Sequence, residues 1–138
     1  MKIEEIKITK AELDRIYEDF ADTDRGLGIT PRESERIELA VRESGDIAAY
    51  ASGLLEYELF YISDMWVSEG KRRQHIGSEL LSSLEERARS AGCKQAYLWT
   101  AGEQNLSFYI ANGYEVFVCF EDCFGVKGHH KYGLKKIL

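Results

Sequence analysis

The sequence predicts a mixed α/β fold built as layers around one sheet. Three observations predict it. Apolar residues recur at spacings of three and four near residues 10–20 and 76–90, as they do on one face of a helix. Between and after these segments the pattern changes to short apolar runs bounded by Ser, Gly and Asp, which read as strands. Across residues 59–100 the order is strand, helix, strand, so those two strands should lie parallel through a crossover.

Each element follows in turn. Thr9 with Glu12 forms a capping-box pattern, and Leu13, Ile16, Tyr17 and Phe20 line one face of the helix it opens. Residues 22–28 are a polar turn, and Pro31 with the charged run to Arg36 suggests a short second helix or a loop. Residues 37–43 and 47–55 read as a hairpin around Ser44, Gly45 and Asp46. Residues 59–67 are a further strand. In the helix at 78–90, Leu80, Leu81, Leu84 and Ala88 share a face with Ile76, and Gly92 closes it. Residues 95–100 are a strand, 105–112 a short helix ended by Gly113, and 114–120 and 131–135 the last strands. The expected chain is one domain, residues 1–138.

Composition narrows the function. With 138 residues, 44% apolar and 30% charged, the chain can bury a core without covalent staples. No apolar run reaches the length of a membrane span, and the acidic start is unlike a signal peptide, so a cytoplasmic location and no membrane partner are expected. Three cysteines in such a chain read as reduced thiols. A formal net charge of −6 disfavours nucleic-acid binding and mildly favours a cationic partner.

Against that acidic background stands Lys71, Arg72, Arg73, Gln74, His75, Ile76, Gly77. An apolar strand precedes it and an amphipathic helix follows. A basic turn leading into a helix N-terminus directs free N–H groups and the positive end of the helix dipole at one point, so a polyphosphate ligand is expected. The turn lacks the Gly-Lys-Ser/Thr ending of a P-loop, and the chain has no dinucleotide glycine triplet.

The strand into Arg72–Gly77, then Leu98, Trp99, Thr100 followed by Asn105, Phe108, Tyr109, Gly113 and Tyr114, together resemble the GNAT acetyltransferase superfamily over residues 65–114. Members of that family move an acetyl group from acetyl-CoA to an amine. The resemblance implies a central, mostly antiparallel sheet with a parallel pair splayed at the cofactor site, flanked by about four helices. It implies that backbone around Met65, Trp66 and Val67 pairs with the pantetheine arm. Arg72, Arg73, Gln74, His75, Ile76, Gly77 and Ser78 would hold phosphate, while Asn105, Ser107 and Phe108 would flank the arm. Tyr109 would protonate the departing thiolate. One departure is plain: His75 stands where the family's first loop glycine is usual, and Arg73 also replaces a common glycine.

A lysine-like amine, pKa about 10.4, is neutral in only about one molecule in a thousand at pH 7, so a carboxylate could assist it. Asp64 and Glu58 are the first candidates because they flank the expected acetyl site, with Glu56 and Glu103 behind them. Bland alternatives stand beside these roles: Tyr109 as a core aromatic beside Phe108 and Tyr114, although the resemblance turns Phe108 of that pair toward the core, Asn105 as a helix N-cap, Asp64 as a hydrogen-bonded structural carboxylate. Cys119, Cys123, His129 and His130 do not match tetrahedral metal spacing, so no metal is expected and the segment reads as a hairpin. Glu121, Asp122 and His130 could still line an acceptor site there. The expected partners are acetyl-CoA and a small cationic amine, with a homodimer as an option. A protein lysine or N-terminus as acceptor, or a CoA-binding sensor with little turnover, are the alternatives.

Overall fold

The computed structural model describes residues 1–138. The chain divides into two compact units, residues 1–33 and 34–138. The first holds helix α1 (Lys10–Gly26). Thr9 accepts from the Glu12 N–H and Glu12 reaches back to the Thr9 N–H, the capping box the sequence predicts. Leu13 is half-buried, whereas Ile16, Tyr17 and Phe20 are exposed.

The second unit is a six-stranded sheet with two helices. Its elements are β1 (Glu35–Glu43), β2 (Asp46–Glu56), β3 (Leu59–Val67), α2 (Ile76–Ser90), β4 (Gln95–Ala101), α3 (Glu103–Ala111), β5 (Glu115–Phe120) and β6 (Lys131–Ile137). The order across the sheet is β1-β2-β3-β4-β6-β5, and every pair is antiparallel except β3 with β4. Ser44 and Gly45 take positive φ of 50° and 87° in the β1–β2 hairpin, as a tight two-residue turn requires.

Three α-helices form, where about four were expected. Residues 29–34 adopt no helix, because pairing in the sheet already begins at Glu35 opposite Leu55. A three-residue 3-10 turn, Glu69–Lys71, appears instead in the basic loop. Helix α2 starts at Ile76, two residues earlier than the pattern suggests, and α3 at Glu103. Both end in the same way. Gly92 and Gly113 take left-handed φ, and the N–H groups of Cys93 and Tyr114 reach back to the carbonyls of Ala88 and Tyr109 at 3.0 Å.

The core lies on the sheet face covered by α2 and α3. Leu80, Leu81, Leu84 and Ala88 of α2, the predicted stripe, meet Ala49, Ala51, Phe60, Ile62, Ala96, Leu98 and Leu134 from the strands. Glu85 is buried among them. It accepts from Lys136 Nζ at 3.0 Å and from the Tyr114 hydroxyl at 2.8 Å, and Lys136 also donates to the Asn112 carbonyl. This ionic network ties α2 to the end of α3 and to β6.

Candidate active site

The site follows from an incomplete ladder. Strands β3 and β4 pair only at Leu59–Gln95, Phe60–Ala96 and Tyr61–Tyr97. Beyond Tyr61 they diverge and open a cleft of about 260 Å³, lined by Ile62, Ser63, Asp64, Met65, Leu98, Trp99, Thr100, Asn105 and Tyr109. Residues 62–67 of β3 therefore keep a backbone edge with no strand partner on the β4 side.

A bulge sits at the point of divergence. Gly53 pairs with Ile62 and Ser52 with Asp64, so Ser63 is an extra residue in β3. Bulges bend a strand and increase its local twist. Gly53 is required there, since a Cβ would stand 2.7 Å from the Tyr61 carbonyl and overlap the Phe60 ring. Because of the bulge, Ser63 and Asp64 reach the same partners instead of opposite faces. Ser52 Oγ and Ser63 Oγ both donate to Asp64 Oδ2, at 2.8 and 2.9 Å. Arg36 Nη1, from β1, donates to both hydroxyls at 3.0 and 2.9 Å and stands 3.9 Å from Oδ2. The serine hydroxyls, with a smaller contribution from Arg36, hold the Asp64 carboxyl below its ordinary pKa. The side chain remains more than half exposed, at 57%.

Tyr109 enters the cleft from α3. It is buried, with Phe108 and Tyr114 packed edge-on at 5.0 and 5.7 Å. Burial pushes its phenol up to about 12. The sequence reading placed Phe108 inward of Tyr109. Tyr109 is in fact the buried member, while half-buried Phe108 packs against the first turn of α2: a Cβ on Gly77 would meet its ring at 3.3 Å. Asn105 is not the N-cap of α3, a position held by Gly102. It lies in the first turn, and its Nδ2 donates to the Ala101 carbonyl at 2.9 Å.

The basic loop leads from β3 to α2. Arg73 and His75 both take left-handed φ, 63° and 62°, and His75 is the N-cap of α2 without a side-chain cap bond. The first backbone bond of the helix is Glu79 N–H to the His75 carbonyl, so the N–H groups of Ile76, Gly77 and Ser78 have no acceptor within the helix. Arg72 Nε donates to the Val67 carbonyl at 3.0 Å and Lys71 pairs with Glu43 at 2.6 Å. Arg73 and Gln74 are exposed.

The structure thus brings Asp64, Met65, Asn105 and Tyr109 together on one cleft. It does not bring Glu58 there. Glu58 precedes β3 at its paired end, forms an exposed ion pair with Lys94 at 3.2 Å, and lies six residues, about 20 Å of strand, from Asp64. The expectation that both carboxylates flank one point fails on strand geometry. Trp66 and Val67 continue the open edge, and Ser107 is exposed on α3 outside the cleft lining. The hairpin at 121–130 is pinned by Asp122: its N–H donates to His130 Nδ1 at 3.0 Å and its Oδ1 accepts from Gly128. Arg36 and Ser52 escaped the sequence reading. They come from two other strands, and only the sheet register places them under Asp64.

Comparison with known proteins agrees with this architecture. The model of the Acetyltransferase (GNAT) family matches residues 6–114. A blasticidin-S acetyltransferase from Streptomyces morookaense is 30% identical over 84 residues, which is 60% of this chain; the match spans only 62% of that protein. A crystal structure of an acetyltransferase from Bacillus cereus superposes with a TM-score of 0.82 at 26% identity, over 99% of this chain and 98% of that one. The fold is shared with a putative streptothricin acetyltransferase from Bacillus anthracis in complex with acetyl coenzyme A, with a TM-score of 0.66 at 13% identity over 79% of this chain and 65% of that one. The chain belongs to the GNAT acetyltransferase family.

Proposed function

We propose that this protein is an N-acetyltransferase that uses acetyl-CoA and acts on a small cationic amine. The observation that carries the reading is the splayed β3–β4 pair, with an open backbone edge on one wall and Tyr109 on the other. The residues fit the cosubstrate. Three unpartnered N–H groups at the start of α2, with Arg73 beside them, suit a pyrophosphate. The β3 edge from Ile62 to Val67 suits an amide-bearing arm, and Asn105 faces the same cleft. His75 keeps the left-handed backbone that glycine would take, so the loop's course is preserved. Acetyl-CoA, when bound, supplies an activated acetyl thioester.

The chain's own residues then do three things. The open β3 edge presents N–H groups to a carbonyl oxygen on which charge develops. Tyr109, neutral across the working range, donates a hydrogen bond to the sulfur as the C–S bond breaks and the C–N bond forms; the leaving group departs as the hydrogen-bonded thiolate, and the proton on the new amide nitrogen passes to water. With a phenol at about 12 against an ordinary thiol near 8.5, full proton transfer is uphill, so the donated hydrogen bond carries the larger share. Asp64, held below its ordinary pKa, is a weak base, and the amine reacts as its small neutral fraction.

The test is acetyl-CoA binding by calorimetry together with thiol release over a panel of amines. Tyr109→Phe should lower kcat by about 10²–10³-fold with little change in acetyl-CoA affinity. In the wild type, kcat should rise with pH as the amine deprotonates, and no loss due to the phenol should appear until pH approaches 12. An unchanged kcat for Tyr109→Phe would remove Tyr109 from the reaction. Absence of acetyl-CoA binding would sink the reading as a whole.

A further inference from the structure

Asp64 is more elaborately held than a surface carboxylate needs. Ser52, fully buried, and Ser63 both donate to the same oxygen, Oδ2, and Arg36 braces both hydroxyls from a third strand. The other oxygen, Oδ1, has no protein partner. Asp64 is also the one formally charged residue lining the cleft: the other eight are Ile62, Ser63, Met65, Leu98, Trp99, Thr100, Asn105 and the neutral phenol Tyr109. A carboxylate held through one oxygen, with the other free, therefore lies on the cleft that also holds Tyr109, beside the point where the acetyl group would change hands.

That carboxylate cannot usefully hold the reacting amine. An ion pair with the attacking nitrogen favours its protonated form and enlarges the cost of making it nucleophilic. The productive partner is a different positive group on the same acceptor. The geometry also selects the kind of cation. A guanidinium is bound best by a carboxylate through two parallel hydrogen bonds to both oxygens, whereas an ammonium is a point charge that is served by one. Trp99 on the opposite wall is already covered by Lys131, with Nζ 5.5 Å from the ring centroid, which leaves Asp64 as the anchor. Resting on the acetyltransferase reading above, we infer that Asp64 is a specificity-determining anchor for a second ammonium group, and that the preferred acceptors are compact molecules carrying two or more primary amines.

The experiment measures acetylation of linear diamines of three to six carbons, n-alkylamines of the same lengths, and the aminoalkylguanidine analogues. For wild type, kcat/KM of the best diamine should exceed that of its matched monoamine by at least about tenfold, chiefly through KM, with the guanidine analogue falling between them. Asp64→Asn should collapse the diamine-to-monoamine ratio towards one, and Ser63→Ala, which keeps the carboxylate but loosens it, should lower the ratio part way. The ascending limb of kcat against pH should keep its position in Asp64→Asn. Three results overturn the inference while leaving the acetyltransferase reading intact: equal use of monoamines and diamines by wild type, a preference unaffected by Asp64→Asn, or a fall in kcat for both amine classes with loss of the ascending limb, which would make Asp64 a base. Failure to bind acetyl-CoA, or no thiol release with any amine, overturns both.

Discussion

His75 occupies a backbone conformation that its side chain opposes. A left-handed φ costs an L-residue roughly 1–2 kcal/mol, and His75 recovers none of this through a cap bond. His75→Gly should therefore raise stability by roughly 1 kcal/mol, read as a higher denaturant midpoint at unchanged slope. An unchanged or lower midpoint would mean that the imidazole contributes contacts that offset the strain. The same residue shows what a motif does and does not reveal. Its departure from the usual glycine was visible in the sequence, but its dihedral was not, because φ is set by the path from β3 into α2. Tyr109 was legible as a cleft residue. Its burial was not, because choosing between Phe108 and Tyr109 depends on the roll of α3, which Gly77 and Phe108 fix together.

At the scale of elements, helices α2 and α3 are held by a mixture of apolar packing and one buried charge network. Removing one partner of a buried pair leaves a charge without compensation, whereas removing both often costs little. Lys136→Met should destabilise the protein by about 3 kcal/mol, since Glu85 would keep only the Tyr114 hydroxyl. Glu85→Gln combined with Lys136→Met should recover much of that loss in the same denaturation measurement. Equal losses in the single and double variants would contradict the network. Sequence periodicity gave the Leu80–Ala88 stripe correctly but placed no weight on Glu85, because a charged residue on an apolar face is recognisable only once its partner, 51 positions away, is known. Strand β3 was legible to the residue because it is bounded by turn residues, whereas Pro31 and its charged neighbours left a short helix and a loop both open before β1, and the loop is what forms.

At the scale of the whole sheet, the parallel β3–β4 pair followed from element order and the crossover rule, whereas the insertion of β6 between β4 and β5 did not. The length of that pairing did not, since three residue pairs and six look alike in sequence. The pairing stops at Tyr61, just before the extra residue Ser63 enters β3, and this has a consequence for how the protein balances durability against use. A chain lacking Ser63 keeps every other residue of β3 opposite its present partner on β2, with Ile62 beside Gly53 and Asp64 beside Ser52. Without the bend, the strand is free to run straight and to continue its ladder with β4 past Tyr97. The single-residue deletion should thus heal the sheet: thermal melting should rise or hold, while acetyl-CoA binding is lost. A deletion variant that still binds acetyl-CoA would show that the opening does not depend on the bulge. On this view the active cleft is a fault deliberately left in an otherwise closed sheet, and a more robust molecule lies one residue away with nothing left to do.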